Sequence, residues 1–274
     1  KDVIAKLPNE VRQIINSDAE VVNKLGSNAM GNYLYVYKGV YATDEDVPVN
    51  PLTGERLRMG GNTSTQAYFK AGDPIWVDVN GDYIIDEKDK VIVGNSQPRM
   101  TGGISINLRY KAFSINTNCS FTLRRDIINK ALADRFRAYG TPVAGKVNLT
   151  GSGALTPIEA YNFWTEDNIY AQYPNPFDYT RSSIIQPFRY DQTLFMEDGS
   201  YFKINGISVA YTIPKKMLDF FRISRCQLNF SMNNIYTFSK YSGINPENVN
   251  NLGYDTSGGY PNGRTVTFGV SMDF

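Results

Sequence analysis

Residues 264–274 read Arg264-Thr-Val-Thr-Phe-Gly-Val-Ser-Met-Asp-Phe274, and this stretch decides how the rest of the chain is to be read. Arg264, Val266, Phe268, Val270, Met272 and Phe274 form one alternating set, and Thr265, Thr267, Gly269, Ser271 and Asp273 the other. Successive strand residues point to opposite faces, so the pattern predicts a strand with one apolar and one small, polar face. In a soluble sandwich the apolar face would cover a core. In an outer-membrane barrel Phe268, Val270, Met272 and Phe274 would face lipid and the polar set the lumen. Eleven residues at about 3.4 Å each, tilted by about 40°, rise roughly 28 Å, close to the height of a barrel's apolar band.

Working back from that strand, three further segments alternate in the same way. Met100 to Tyr110 sets Ile104, Ile106, Leu108 and Tyr110 against Ser105, Asn107 and Arg109. Ala112 to Leu123 sets Phe113, Ile115, Thr117, Cys119 and Phe121 against Ser114, Asn116, Asn118 and Ser120, and only Lys111 separates the two runs, as in a tight hairpin. Arg225 to Thr237 sets Cys226, Leu228, Phe230 and Met232 against Gln227, Asn229, Ser231 and Asn233. Tyr201 to Thr212 is a strand whose phase slips at Gly206, where a bulge would restore a single face. Gly31 to Tyr41, with tyrosines at 33, 35, 37 and 41, is expected to be a sixth strand.

The links between these strands are short and long by turns. The long ones, of about 58, 77 and 26 residues, all fall at one end, the arrangement of outer-membrane barrels and uncommon in compact soluble domains. Parity places the C-terminus and residues 1–30 on the periplasmic side, with 31–274 as strands and extracellular loops. Within residues 1–30 the apolar spacing of Val11, Ile14, Ile15, Val21, Val22 and Leu25 predicts a helix ended by Gly26. The fold class expected is all-β: about six strands of a large antiparallel transmembrane barrel. Eight strands are the minimum for closure, so the chain is expected to be the C-terminal part of a larger barrel. The start at Lys1, without Met or signal-peptide pattern, fits a mature product or a piece of something longer.

Composition narrows the function. Lys plus Arg is 28 and Asp plus Glu 27, a balance that argues against nucleic acid as a partner. Histidine is absent, which removes Ser-His and Cys-His catalysis and imidazole metal sites, and no catalytic residue is expected. The two cysteines, Cys119 and Cys226, are expected to be unpaired apolar-face residues of non-neighbouring strands. No apolar run approaches the roughly 20 residues of a membrane helix. Gly140 to Val147 imitates a phosphate loop, but Val147 stands where Ser or Thr must hold Mg²⁺.

Two segments carry binding chemistry. Asp78, Asn80, Asp82, Asp86 and Asp89 fall at positions 1, 3, 5, 9 and 12 of a Ca²⁺-loop spacing, with the Ile84 carbonyl at position 7. Tyr83 occupies position 6, where Gly supplies a positive φ, so a metal loop and a plain Asp/Asn/Gly turn both stand. Ca²⁺ is the only cofactor the sequence suggests. Tyr161, Trp164, Tyr170 and Tyr173, with Phe163, Phe177 and Tyr179 nearby, offer rings that could stack on sugars or build the core of their own loop.

Four motifs in order carry a family resemblance. GDPIWVDVNGDYIIDEKDKVIVGNSQPRMTGGISINLRYKAFSI, EDGSYFKINGISVAYTIPKKML, QLNFSMNNIYTFSKYSGINPE and the closing strand from Tyr260-Pro261 to Phe274 resemble segments of SusC/RagA-type TonB-dependent outer-membrane transporters of Bacteroidetes. Tyr83 departs from the Gly usual there. The resemblance implies a barrel of about 22 strands with a plugged lumen, energised by TonB through an N-terminal region not present here. It also implies a SusD-like surface lipoprotein as partner, with glycans or oligopeptides as cargo. The rival readings are a non-TonB outer-membrane barrel or adhesin, and a secreted Ca²⁺-binding, carbohydrate-binding β-domain.

Overall fold

The computed structural model describes residues 4–5, 13–16, 21–23, 30–61, 64–139, 142–143, 146–147, 160–218, 223–250, 252–255 and 262–274. The chain divides into two compact units, one holding residues 98–125, 198–247 and 259–274, the other holding 1–97, 126–197 and 248–258.

The first unit is a five-stranded antiparallel sheet. In chain order its strands are Met100–Tyr110, Phe113–Leu123, Tyr201–Thr212, Arg225–Ser239 and Thr265–Asp273, and each pairs with the next. Lys111, at φ 52, and Ala112 form the turn of the first hairpin. The expected slip is a bulge at Asn205: Asn118 faces Gly206 while Cys119 faces Ile204. On the other side Ile204 faces Tyr236 and Gly206 faces Asn233, with Asn234 at φ 55. The extra residue re-phases the strand so that Phe202 and Ile204 join the face of Ile207, Val209 and Tyr211. Gly102 lies beneath the Phe121 ring, where a Cβ would sit 2.6 Å from a ring carbon.

Two sequence expectations are corrected. Gly31 to Tyr41 is not a sixth strand of this sheet. It breaks at Val36 into Asn32–Tyr35 and Tyr37–Val40, which pair with Lys90–Val93 and Pro74–Trp76 in the second unit. Asn32 to Tyr35 are buried on both faces, which lipid-and-lumen alternation does not produce. The first edge of the long sheet is therefore Met100–Tyr110. The helix expected over Val11 to Leu25 is replaced, at its described residues, by the paired strands Gln13–Asn16 and Val21–Asn23. Their β-branched Ile14, Ile15, Val21 and Val22 favour extended backbone, which outweighs the helical spacing.

The second unit is built of short strands, turns and one helix around two apolar clusters. Helix Lys130–Tyr139 starts where the Asn129 side chain accepts from the Leu132 N–H at 3.0 Å. It buries Ala133 and Phe136 beside Leu34, Ile128, Phe163 and Phe195. The second cluster gathers Tyr35, Tyr41, Phe69, Trp76, Ile85 and Ile185. The segment resembling a phosphate loop contains the small hairpin Pro142–Val143 and Lys146–Val147.

Candidate functional site

The five-stranded sheet sorts its side chains into two faces that run unbroken across all strands. One row reads Leu108, Ile115, Val209, Phe230, Phe268 and the next Ile106, Thr117, Ile207, Met232, Val266. On the opposite face Asn107, Asn116, Ser208, Ser231 and Thr267 stand in register. Aromatic side chains bound the apolar face at both ends. Tyr110, Phe113 and Tyr211 lie at the end with the short links, and Phe121, Phe202 and Phe238 at the end with the long ones. From Phe113 to Phe121 the strand advances about 27 Å, or roughly 21 Å of height at a 40° tilt. An apolar band between aromatic girdles is what a bilayer requires of a barrel wall.

The apolar face is exposed where the sheet ends: Ile104, Ile106 and Leu108 on one flank, Val266, Phe268, Val270 and Met272 on the other, with Phe274 beyond the strand. Phe268 alone is 79 % exposed. Exposed apolar surface gathered on one sheet face marks a contact face for protein or membrane. Cys119 lies on this face in the second strand, and Cys226 is buried at the start of the fourth; both thiols are free.

The polar face is knit by side chains across strands. Ser105 Oγ donates to Asn118 Oδ1 at 2.8 Å, Asn116 Nδ2 to Ser208 Oγ at 3.4 Å and Ser120 Oγ to Asn205 Oδ1 at 3.3 Å. At the end with the long links, Lys203 on the same face pairs with Glu247, and Arg125 donates to the Pro246 carbonyl. The segment after the fourth strand is thereby tied down on the sheet.

In the second unit, the acidic loop folds as a self-satisfied turn. Asp78 accepts from the N–H groups of Gly81 (2.7 Å) and Tyr83 (2.8 Å), Asp82 from Ile84 (2.9 Å) and Asp86 from Lys88 (2.8 Å). Asn80 accepts from the Asp82 N–H at 3.0 Å and donates to its carboxylate at 2.9 Å. Asp89, fully buried, accepts from Val79 and Asp86. Among the described residues no three acidic side chains gather as a cation-holding group. In this arrangement the carboxylates accept from the loop's own backbone N–H groups, each still carrying a further oxygen lone pair. Tyr83 takes φ 62, the left-handed conformation expected of Gly at that position. The strain, about 1–2 kcal/mol for an L-residue, is offset by its N–H bond to Asp78 and by its packing on the second apolar cluster.

The aromatic candidates separate. Phe163 and Trp164 are buried, and Tyr161 and Tyr173 lie against the first cluster. Phe136 is the hub, with ring centroids 4.8 Å from Tyr161, 4.9 Å from Phe163 and 5.0 Å from Tyr173. Tyr170 stands apart at 84 % exposure, free to meet a ligand.

Sequence reading missed a charged cluster beside the second core. Arg189 lies 4.7 Å from the centroid of the Tyr35 ring, which stacks on Trp76 at 5.1 Å. Asp191 holds Arg189 at 2.5 Å and the fully buried Lys90 at 2.7 Å. Burial pushes the Asp191 carboxyl up, but the hydrogen bonds and charges of Arg189 and Lys90 outweigh it and leave the group below the usual carboxylate range. Burial pushes the Tyr35, Tyr37 and Tyr41 hydroxyls well above theirs, so all three are neutral. A second buried pair, Arg181 and Asp73, is completed by the Gln66 and Tyr68 carbonyls, each 2.6 Å from the guanidinium. Arg181 and the Gln66 carbonyl, for example, lie 115 residues apart in sequence, and no local pattern announces such partners.

No family model matches the chain. It is 28 % identical over 257 residues to TonB-dependent receptor P3 of Formosa agariphila, covering 88 % of this chain and 22 % of that protein. Identity to TonB-dependent receptor SusC of Bacteroides thetaiotaomicron is 23 % over 270 residues, 91 % of this chain and 24 % of that one. Among solved structures, the RagAB peptide importer in its open-open state superposes with a TM-score of 0.62 at 18 % identity, covering 99 % of this chain and 25 % of the other. Its closed-closed state gives 0.60 at 17 %, covering 96 % and 25 %. The chain spans about a quarter of the length of the proteins it matches. It is a distant homologue of TonB-dependent receptors of Bacteroidetes.

Proposed function

We propose that the chain is a C-terminal portion of the wall, with extracellular loops, of a SusC/RagA-type TonB-dependent transporter in the bacterial outer membrane, importing glycans or oligopeptides. The observation that carries this reading is the sheet with one unbroken apolar face, bounded by aromatics, and one polar face. Phe268, Val270, Met272 and Phe274 face lipid, and Thr267, Gly269 and Ser271 the lumen. Among the described residues, Met100–Tyr110 and Thr265–Asp273 are each paired on one side only. Unpaired backbone groups cost several kcal/mol each in a bilayer, so the rest of the barrel pairs with both edges. A plug in the N-terminal part engages TonB, and a SusD-like surface lipoprotein caps the loops. Tyr170 is the candidate cargo contact among the aromatics. No catalytic step is assigned.

The test is to express the whole protein and extract its membranes. Recovery in the outer membrane, heat-modifiable migration in detergent and cargo uptake that stops when TonB is removed are expected. A protein soluble without detergent would sink the reading.

A further inference from the structure

We infer that the two turns at the end of the sheet with the short links form a seat for an anionic phospholipid headgroup, with Lys111, Lys215 and Lys216 as its cations. The seat presupposes the transporter reading, under which this end of the wall meets the periplasmic leaflet, and it adds the kind of lipid that the wall selects there. The first turn, Lys111 and Ala112, joins the first two wall strands, and residues 213–224 join the third and fourth. Thr212 N–H donates to the Ala112 carbonyl at 2.9 Å and Ile213 N–H to that of Cys226 at 2.9 Å, so both turns are anchored to a neighbouring strand.

The cations stand where the apolar face ends. Lys111 Nζ lies 5.2 Å from the centroid of the Tyr110 ring. Tyr110 stands opposite Phe113, and Phe113 opposite Tyr211, on the apolar face, with the Phe113 and Tyr211 ring centroids 4.6 Å apart. The Lys111 ammonium is therefore held beside the aromatic girdle, where a lysine keeps its stem on apolar surface and its head among headgroups. In the second turn Pro214, Lys215, Lys216 and Met217 are exposed, while Leu218 is buried. An exposed methionine beside two lysines has the make-up of an interfacial anchor, its thioether suited to acyl chains and its ammonium groups to phosphate. This turn lies between the third and fourth of the five strands. Strands added beyond the first and the fifth leave wall on both sides of it.

Charge selects the class of lipid. Among the described residues no carboxylate pairs with these three ammonium groups. In sequence Arg222 and Arg225 add to the basic side of this end, and Asp219 and Asp273 to the acidic, so positive charge is in excess. Lysines beside a membrane surface are drawn to headgroups with a net negative charge, and salt screens the attraction. A zwitterionic headgroup carries its own ammonium and gains less.

The experiment uses the whole transporter in a neutral detergent, with phosphatidylglycerol in mixed micelles as probe. Phosphatidylcholine and inorganic phosphate serve as comparisons, and lipid retention by native mass spectrometry and the melting temperature are the readouts. Phosphatidylglycerol should remain bound and raise the melting temperature more than phosphatidylcholine does, by a margin that shrinks as salt is added. Lys111→Gln combined with Lys215→Gln and Lys216→Gln should lower affinity for phosphatidylglycerol by at least about 10-fold. Heat-modifiable migration and the lipid-free melting temperature should stay as they are, and the corresponding triple change to arginine should retain the lipid. Wild-type retention in the glutamine variant, or equal retention of both lipids by the wild type, overturns the seat while leaving the transporter reading intact. The same shift from inorganic phosphate alone overturns lipid as the occupant. A protein soluble without detergent overturns the transporter reading itself, and the seat with it.

Discussion

Phe230 and Phe268 face each other across the last ladder of the long sheet, with ring centroids 5.0 Å apart and planes inclined by 51°. Both project from the apolar side. Such a pair adds about 0.5–1.5 kcal/mol beyond its area, yet Phe268 remains largely bare. The contact joins the two strands in register and leaves the outer surface of Phe268 exposed.

Depth on that face should govern tolerance to charge. Ile207 lies midway between Phe202 and Tyr211, the aromatic residues at either end of its strand. Ile207→Arg in the refolded whole barrel should cost about 2–4 kcal/mol, whereas Ser208→Arg, on the polar face, should cost much less. Denaturant titration of both variants checks this, and equal losses would contradict the assignment of faces.

The acidic loop should ignore calcium. Asp89→Ala leaves the Val79 and Asp86 N–H groups without their acceptor in a buried site, at about 1–3 kcal/mol each if no water replaces it. Adding millimolar Ca²⁺ or a chelator to the wild-type protein should not move its melting temperature. A stabilisation that saturates with Ca²⁺ and vanishes in Asp78→Ala would instead assign the loop to the ion.

Core and contact roles of the aromatics should come apart in variants. Phe136→Ala should destabilise the second unit by about 3–5 kcal/mol, and Tyr173→Ala should lower stability as well. Tyr170→Ala should leave the melting temperature where it is, and any effect should fall on uptake. Hydrogen exchange across 160–195 distinguishes the cases.

Acid should loosen the Arg189 and Lys90 cluster. The Asp191 carboxyl is held below its ordinary value, so its contribution to stability is complete above the unfolded carboxylate pKa of about 4. It is lost as pH falls through the lower folded value. Trp76, stacked on Tyr35 beside Arg189, provides a local fluorescence signal, read as the difference between the protein and its Trp76→Phe variant. Asp191→Asn should flatten the acid limb of that profile, and an unchanged limb would assign the loss to other groups.

Much of the wall was legible because a strand with unlike faces writes itself into the sequence with period two. The hairpin about Lys111 and the bulge beside Gly206 both follow from the residues alone. Gly31 to Tyr41 misled because its tyrosines also alternate; nothing local reveals that Asn32 to Tyr35 are all buried, with Leu34 in one apolar cluster and Tyr35 in the other. The acidic spacing was real, but spacing does not say whether a carboxylate turns to an ion or to its own backbone. The Asp191 cluster could not be read, since cation, ring and carboxylate meet only after distant segments fold together.

The strict alternation across the five paired strands has a genetic corollary. Deleting one residue from within Phe113–Leu123 would exchange the faces of the rest of that strand, bringing asparagines to the apolar face and isoleucines to the polar one. The same deletion between Arg124 and Ser200 would leave the faces of the sheet as they are and act instead on the core around Phe136. Length variation among descendants of this gene should therefore collect between the wall strands, and the strands themselves should keep their residue count even where their side chains drift.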